Sequence, residues 1–169
     1  SSMSPISPLQ ESTPKRWVAF SFLLVLLFDF IPISPPWVYP LPDFTLIMLA
    51  YWLLHRPQLI GIGVAFCLGL LVDIGTNSLL GQHGLAYTVA AFLIERNRRQ
   101  VALNSFGWQA VAVAGAVLVS QLVIFLVSLF QQQPFSLWRL WLPPVVTGLL
   151  WPQLNNMMLA IAHYRRSLK

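Results

Sequence analysis

Asp73 is the residue best placed to do chemistry, because it is an acid at the end of an apolar stretch. No other charged residue lies between Leu59 and Ile74. A carboxylate in a membrane segment is costly unless it is paired or hydrated, and such residues are usually functional. Two interpretations are open. Asp73 contacts a partner or an ion, or it caps the helix that follows the turn-forming string Gly-Thr-Asn-Ser; we favour the cap.

The sequence does not support catalysis. An intramembrane hydrolase needs a nucleophile paired with a base, and only His83 with Asp73 or a nearby Ser could supply that pair. No His-Glu-x-x-His motif, Gly-x-Ser-x-Gly elbow or phosphate-binding loop is present. The single cysteine, Cys67, is best explained as a small core residue. The sequence therefore predicts a protein that is not an enzyme and that has no catalytic residues, cofactor or metal site.

Small residues recur at helical spacing in two rows. Residues four apart lie on one face of a helix, and a row of small residues lets a second helix approach closely in a membrane. We expect the two rows to pack against each other. An interhelical hydrogen bond is the simpler role for the amide beside the second row, and a ligand cavity is the alternative. The candidates for helix packing or a partner interface are Gly61, Ala65, Gly69 and Asp73 in the first row, and Ala112, Ala116, Ser120 and Gln121 in the second.

Turn and cap residues flank these rows. An acid before an apolar run is a preferred helix N-cap, and Gly, Asn and Ser favour turns. These rules predict an N-cap for the second apolar segment and a tight turn between the third and fourth. The candidates are Asp43, Gly75, Asn77, Ser78 and Gly81.

The composition predicts an integral membrane protein. Of the 169 residues, 57% are hydrophobic and 9% are charged, whereas about a quarter of the residues in a soluble domain are charged. The net charge of +5 does not indicate binding to nucleic acid, because the basic residues lie in short connectors between apolar runs, where they set topology. We therefore expect contact with membrane lipid and not with nucleic acid.

Six apolar segments follow a polar tail. Residues 1–14 are rich in Ser and Pro and are predicted to be disordered. Residues 15–169 are predicted to form one all-α transmembrane domain, a compact six-helix bundle. Five prolines between Pro32 and Pro42 exclude a helix between the first two segments. The predicted spans are 17–31, 43–54, 59–74, 79–94, 108–130 and 140–162.

The depth of the third and fourth segments stays open. Each is shorter than the about 20 residues of a straight span. Two short spans with local thinning of the bilayer are the favoured interpretation. A re-entrant hairpin with both ends on one side is the alternative.

The basic residues predict the orientation. With six spans and the N-terminus inside, all ten Lys and Arg residues except Arg139 fall on the cytoplasmic side, which satisfies the positive-inside rule. Both termini are then cytoplasmic. In this arrangement Asp29, Asp43 and Asp73 lie at the external ends of their segments.

Short motifs follow one another in a fixed order along the chain. They are Pro42-Asp43, Tyr51-Trp52 to Pro57, Gly61 to Gly69, Leu70-Leu71-Val72-Asp73 and Ser78-Leu79-Leu80-Gly81, with a late Thr-Gly-Leu-Leu-Trp-Pro string from Thr147 to Pro152. This ordered set resembles the MreD family, the rod shape-determining membrane proteins of bacteria, and the late string resembles the last span of that family. The resemblance covers nearly the whole chain after the tail.

The resemblance implies a non-enzymatic role in the elongasome, the assembly that directs lateral peptidoglycan synthesis and rod shape at the bacterial inner membrane. It implies MreC as the main partner, with RodA, the class B penicillin-binding transpeptidase and MreB in the wider assembly. It also implies a fold similar to the substrate-binding subunits of energy-coupling vitamin transporters. That likeness raises the alternative of a solute-binding subunit, which docks its motor through small residues on the first span. Here that span is bulky, with only Ala19 and Ser21 near its start.

Overall fold

A computed structural model describes residues 14–31, 43–103 and 106–167. Every regular element in these ranges is helical, which confirms the all-α prediction. The predicted tail, except Pro14, and the proline-rich segment lie outside the described residues. The helices are α1 Lys15–Asp29, α2 Phe44–His55, α3 Ile62–Gly75, α4 Gln82–Arg96, α5 Arg98–Leu103, α6 Phe106–Phe130 and α7 Trp138–Ser167.

The short helix α2 is the centre of the bundle. Every residue from Thr45 to His55 is buried, because α2 is apolar on all sides and packs against α1, α4, α5 and α6. The remaining helices pack in the order α3–α4, α4–α6 and α6–α7. The last pair is joined by a buried hydrogen bond of 3.2 Å, which Trp151 Nε1 donates to Gln109 Oε1.

The outer surface of the bundle is strongly apolar. Phe130 is 91% exposed, and Leu149 and Ile74 are each 69% exposed. Large exposed apolar areas are unusual on a soluble monomer. Among the described residues, one helix, Gly107–Phe130, is long and apolar enough by itself to cross a membrane, and two shorter apolar helices accompany it, Phe44–His55 and Ile62–Gly75.

The observed helices differ from the predicted segments at several ends. α3 begins at Ile62 and not at residue 59, since the chain turns after α2 and Leu59 N–H donates to Arg56 O. α4 begins at Gln82 and not at residue 79, because Gly81 has a left-handed φ of 102° that no helix continues through. The charged connector after α4 contains an additional short helix, α5. The depth of α3 and α4 in a membrane is still a prediction.

Arg98 of α5 forms hydrogen bonds with the C-terminal end of the central helix, α2. Its Nε donates to Leu53 O and its Nη2 to Leu54 O, both at 3.2 Å. The last carbonyls of a helix have no partner within the helix, and a guanidinium near that end also offsets the helix dipole. Arg98 therefore caps the C-terminus of α2.

Replacing Arg98 by alanine is expected to lower the free energy of unfolding by about 2 kcal/mol, because two buried carbonyls lose a charged donor. The thermal unfolding midpoint of the protein in detergent measures the effect. Arg99→Ala is the matched control, since Arg99 is exposed on the same short helix. Equal midpoints for the two variants would contradict the capping role.

Candidate functional site

The Asp73 carboxylate joins α3 to the start of α4. It is 1% exposed. Oδ2 accepts the backbone N–H of Gly81 at 2.9 Å, and Oδ1 accepts that of His83 at 2.9 Å. Gly84 N–H points to the same carboxylate at 3.4 Å. These N–H groups open α4 and have no acceptor within the helix, so Asp73 satisfies them from the neighbouring helix.

His83 lies between two carboxylates. Its Nδ1 is 2.8 Å from Asp73 Oδ1, and its Nε2 is 3.8 Å from Asp43 Oδ2. The ring of Tyr87, one turn along α4, meets the His83 ring edge to face with the centroids 5.8 Å apart. The sequence shows His83 and Tyr87 four residues apart, but it did not indicate that they meet Asp43.

Gly69 is where α3 and α4 come closest. A Cβ at this position would overlap the His83 carbonyl and the backbone of Gly84. Ala65, one turn earlier, is fully buried. Gly61, by contrast, precedes α3 in an extended conformation, and a Cβ added there would meet nothing within 4 Å. Gly61 therefore makes no close helix contact among the described residues, because the helix begins one residue later; its place in a partner interface stays a prediction.

The N-terminus of α2 is capped by an acid from α1. Asp29 Oδ2 accepts the Thr45 N–H at 2.8 Å and the Thr45 hydroxyl at 2.6 Å, and Asp29 Oδ1 accepts the Phe44 N–H at 3.1 Å. Asp43 occupies the N-cap position, but its side chain makes no capping hydrogen bond. The predicted Asp43 cap is thus wrong, since Asp29 already takes the first N–H groups of α2. An acid that ends one apolar run shortly before another begins is the signal that could have identified Asp29.

Ala112 and Ala116 of the second small-residue row line a groove between α4, α5 and α6 with a volume of about 690 Å³. With Gly115 they form part of its α6 side, which we call its floor, and Asn97 and Gln100 also line it. A Cβ added at Gly115 would meet nothing within 4 Å. The two rows do not pack against each other as expected, because α4 lies between α3 and α6. The sequence analysis did not identify Gly115 as a groove residue, because it is not spaced by four residues from Ala112, Ala116 and Ser120.

The other predicted residues have local roles. Ser120 is buried and its hydroxyl donates to Val117 O of its own helix at 2.7 Å, and Gln121 is buried beside it. In the turn, Asn77 has a left-handed φ of 60°, and Ser78 N–H donates to Asp73 O at 2.9 Å. Gly75 lies against the Phe30 ring, which leaves no space for a Cβ.

The Asp73 carboxylate contacts backbone N–H groups of α4 and the His83 ring. Within the described residues, no three His, Cys, Asp or Glu side chains are grouped so that they could hold a metal ion. Cys67 is exposed on α3, so its predicted place in the core is wrong. The carboxylate of Asp73 is fully engaged with α4, which suits a structural clamp.

Comparisons with known proteins identify the family. A family model described as rod shape-determining protein MreD matches residues 13–160. The rod shape-determining protein MreD of Haemophilus influenzae is 33% identical over 128 residues, which cover 76% of this chain and 77% of that protein. No solved structure matches, so the expected likeness to vitamin transporter subunits is not confirmed. The chain therefore belongs to the MreD family of rod shape-determining proteins.

Proposed function

We propose that this protein is a non-enzymatic membrane component of the bacterial elongasome that binds MreC and thereby supports lateral peptidoglycan synthesis. Family membership supports a role in cell shape. The groove between α4, α5 and α6 is the observation that carries the binding proposal. Its occupant is the transmembrane helix of MreC.

The shape and lining of the groove suit a single helix. It extends along α6 from Trp108 to Val119, about 16 Å at 1.5 Å per residue, or about three helical turns. Its floor of Ala112, Gly115 and Ala116 allows close backbone approach, which is how helices associate in a lipid environment. The two exposed arginines beside the groove, Arg96 and Arg99, suit a membrane-proximal segment near lipid phosphates.

The orientation is part of the same proposal. We place the protein in the inner membrane with six spans and cytoplasmic termini, as the positive-inside rule indicates. RodA, the class B penicillin-binding transpeptidase and MreB then belong to the wider assembly, which MreC connects to this protein.

Filling the groove is expected to weaken the complex without unfolding the protein. A Cβ at position 115 meets nothing within 4 Å, and Gly115 lines the groove, so the larger side chain of Gly115→Leu would occupy space that the MreC helix needs. We expect recovery of MreC with the tagged protein to fall about tenfold or more, because the two helices can no longer pack closely. A tenfold decrease in affinity corresponds to a loss of about 1.4 kcal/mol of binding free energy.

Gly63→Leu is the matched control. Gly63 is exposed on α3 and also has open space around it, but it lies outside the groove. This variant is expected to recover MreC as the unchanged protein does. The proposed docking site is wrong if Gly115→Leu, folded and inserted, recovers MreC to the same extent as Gly63→Leu.

A further inference from the structure

An apolar cleft lies between α1 and α7, with α2 behind it. Its volume is about 500 Å³. Met48, Tyr51 and Trp52 of α2 line it and are all buried, so α2 forms its deep wall. The α1 and α7 sides carry exposed apolar side chains, namely Phe20, Leu24, Phe28, Met157 and Ile161. In a bilayer, the open side of this cleft therefore faces acyl chains.

The cleft offers few polar groups to a ligand. Trp52 Nε1 donates to Ser21 Oγ at 2.8 Å, and the Ser21 hydroxyl donates to Val18 O at 2.6 Å, so these two side chains already bond within the protein. A polar solute would lose its hydrogen bonds to water here without replacement, which is costly. An acyl chain has no such hydrogen bonds to lose. The lining therefore favours the hydrocarbon part of a lipid.

The length of the cleft matches one leaflet of a membrane. It extends along α1 from Trp17 to Phe28, about 16 Å at 1.5 Å per residue. The hydrocarbon core of a bilayer is about 30 Å thick, so one leaflet contributes about half of that thickness. An acyl chain that lies along α1 therefore has its headgroup either at the Trp17 end or at the Phe28 end of the cleft.

The charges at the two ends of the cleft differ. Lys15 and Arg16 come directly before Trp17 and are exposed. The first turn of α1 contains no acidic residue, and neither basic side chain forms an ion pair within the described part of the chain. At the other end, Asp29 directly follows Phe28. An anionic headgroup is therefore better accommodated at the Trp17 end, where basic residues attract anionic lipid.

We propose that the cleft binds one anionic phospholipid, with an acyl chain along α1 and the phosphate beside Lys15 and Arg16. Phosphatidylglycerol is the simplest such lipid. Trp17 then lies at the level of the headgroup, which suits an amphipathic aromatic ring. Of the described residues, none lines both this cleft and the groove proposed for MreC, so the two proposals fail independently.

The test is lipid binding by the purified, delipidated full chain in detergent, measured by native mass spectrometry. The probes are dioleoyl phosphatidylglycerol and dioleoyl phosphatidylcholine, which have the same acyl chains and differ in the net charge of the headgroup. We expect phosphatidylglycerol to bind about tenfold tighter than phosphatidylcholine, because basic residues near a headgroup favour anionic lipids. Equal affinity of the unchanged protein for the two lipids would overturn the proposal.

Removing the charge at the Trp17 end tests the position of the headgroup. Lys15→Gln combined with Arg16→Gln is expected to lower the affinity for phosphatidylglycerol to about that for phosphatidylcholine. The matched control is Arg96→Gln combined with Arg99→Gln, which removes the same charge from exposed positions that do not line the cleft and is expected to keep the preference. The proposal is wrong if the first double variant keeps the preference as fully as the second.

Filling the cleft tests the position of the acyl chain. Leu24 lines the cleft and is 46% exposed, whereas Leu23 does not line it and is 54% exposed. Both positions accept a larger side chain without disturbing the core, so both tryptophan variants are expected to fold. We expect Leu24→Trp to weaken phosphatidylglycerol binding about tenfold and Leu23→Trp to leave it unchanged.

Equal binding of phosphatidylglycerol by the folded Leu24→Trp and Leu23→Trp variants would overturn the proposal. It is also the result expected if a helix of a partner protein, and not a lipid, occupies the cleft.

Discussion

Gly69→Ala is expected to destabilise the protein by about 3 kcal/mol, the upper part of the range for overpacked cores. The added Cβ would overlap the His83 carbonyl and the backbone of Gly84. These are backbone atoms, so no side-chain rotation relieves the overlap and α3 and α4 must separate. Separation also lengthens the bonds from Asp73 to the start of α4, which adds to the cost.

The thermal unfolding midpoint in detergent, followed by circular dichroism, measures this effect. About 3 kcal/mol corresponds to a decrease of about 10 °C for a chain of this size. Gly63→Ala is the control on the same helix, where a Cβ meets nothing, and alanine there is expected to stabilise α3 by up to about 1 kcal/mol. If Gly69→Ala unfolds at the temperature of the unchanged protein, α3 and α4 are not in the close contact described above.

Asp73→Asn is expected to have an effect of similar size, about 3 kcal/mol. The amide keeps the shape of the side chain, but it replaces one acceptor oxygen by an NH₂ donor. At least one N–H of Gly81 or His83 then faces a donor inside the bundle, and His83 Nδ1 loses its charged partner. A buried group left without its partner costs about 1–3 kcal/mol.

The same unfolding measurement applies, with Glu95→Gln as the matched control because Glu95 is exposed near the end of α4. We expect Glu95→Gln to unfold with the unchanged protein and Asp73→Asn to unfold about 10 °C lower. Equal midpoints for all three proteins would show that the carboxylate does not hold α4.

The sequence predicts the local features of this site, but it does not predict which helices pack against each other. A spacing of four between small residues predicts a close helix contact near Gly69, because such residues lie on one face of a helix. The acid and turn residues that follow predict a carboxylate at the start of α4, because the first N–H groups of a helix lack partners within it. The same periodicity placed Gly61 inside α3. The pattern of small residues continues through the turn after Pro57, and spacing alone does not show where a helix begins.

Local sequence patterns do not show which helices pack against each other. The expectation that the row at Gly69 packs on the row at Ala116 was wrong because α4, which lies between them, is itself lined by alanines, Ala86, Ala90 and Ala91, all buried. In the same way, the cap on α2 comes from Asp29 on another helix. Such contacts depend on how the helices are arranged, which a one-dimensional pattern does not specify.

The central claim, that MreC docks in the groove on α6, is tested most directly by site-specific photo-crosslinking in intact cells. A photoreactive amino acid at position 115 lies on the floor of the groove, and one at position 63 lies on an exposed face of α3. We predict a crosslink to the transmembrane segment of MreC from position 115 and none from position 63. Absence of the crosslink from position 115 in a folded, membrane-inserted protein, or equal crosslinking from both positions, would contradict the account.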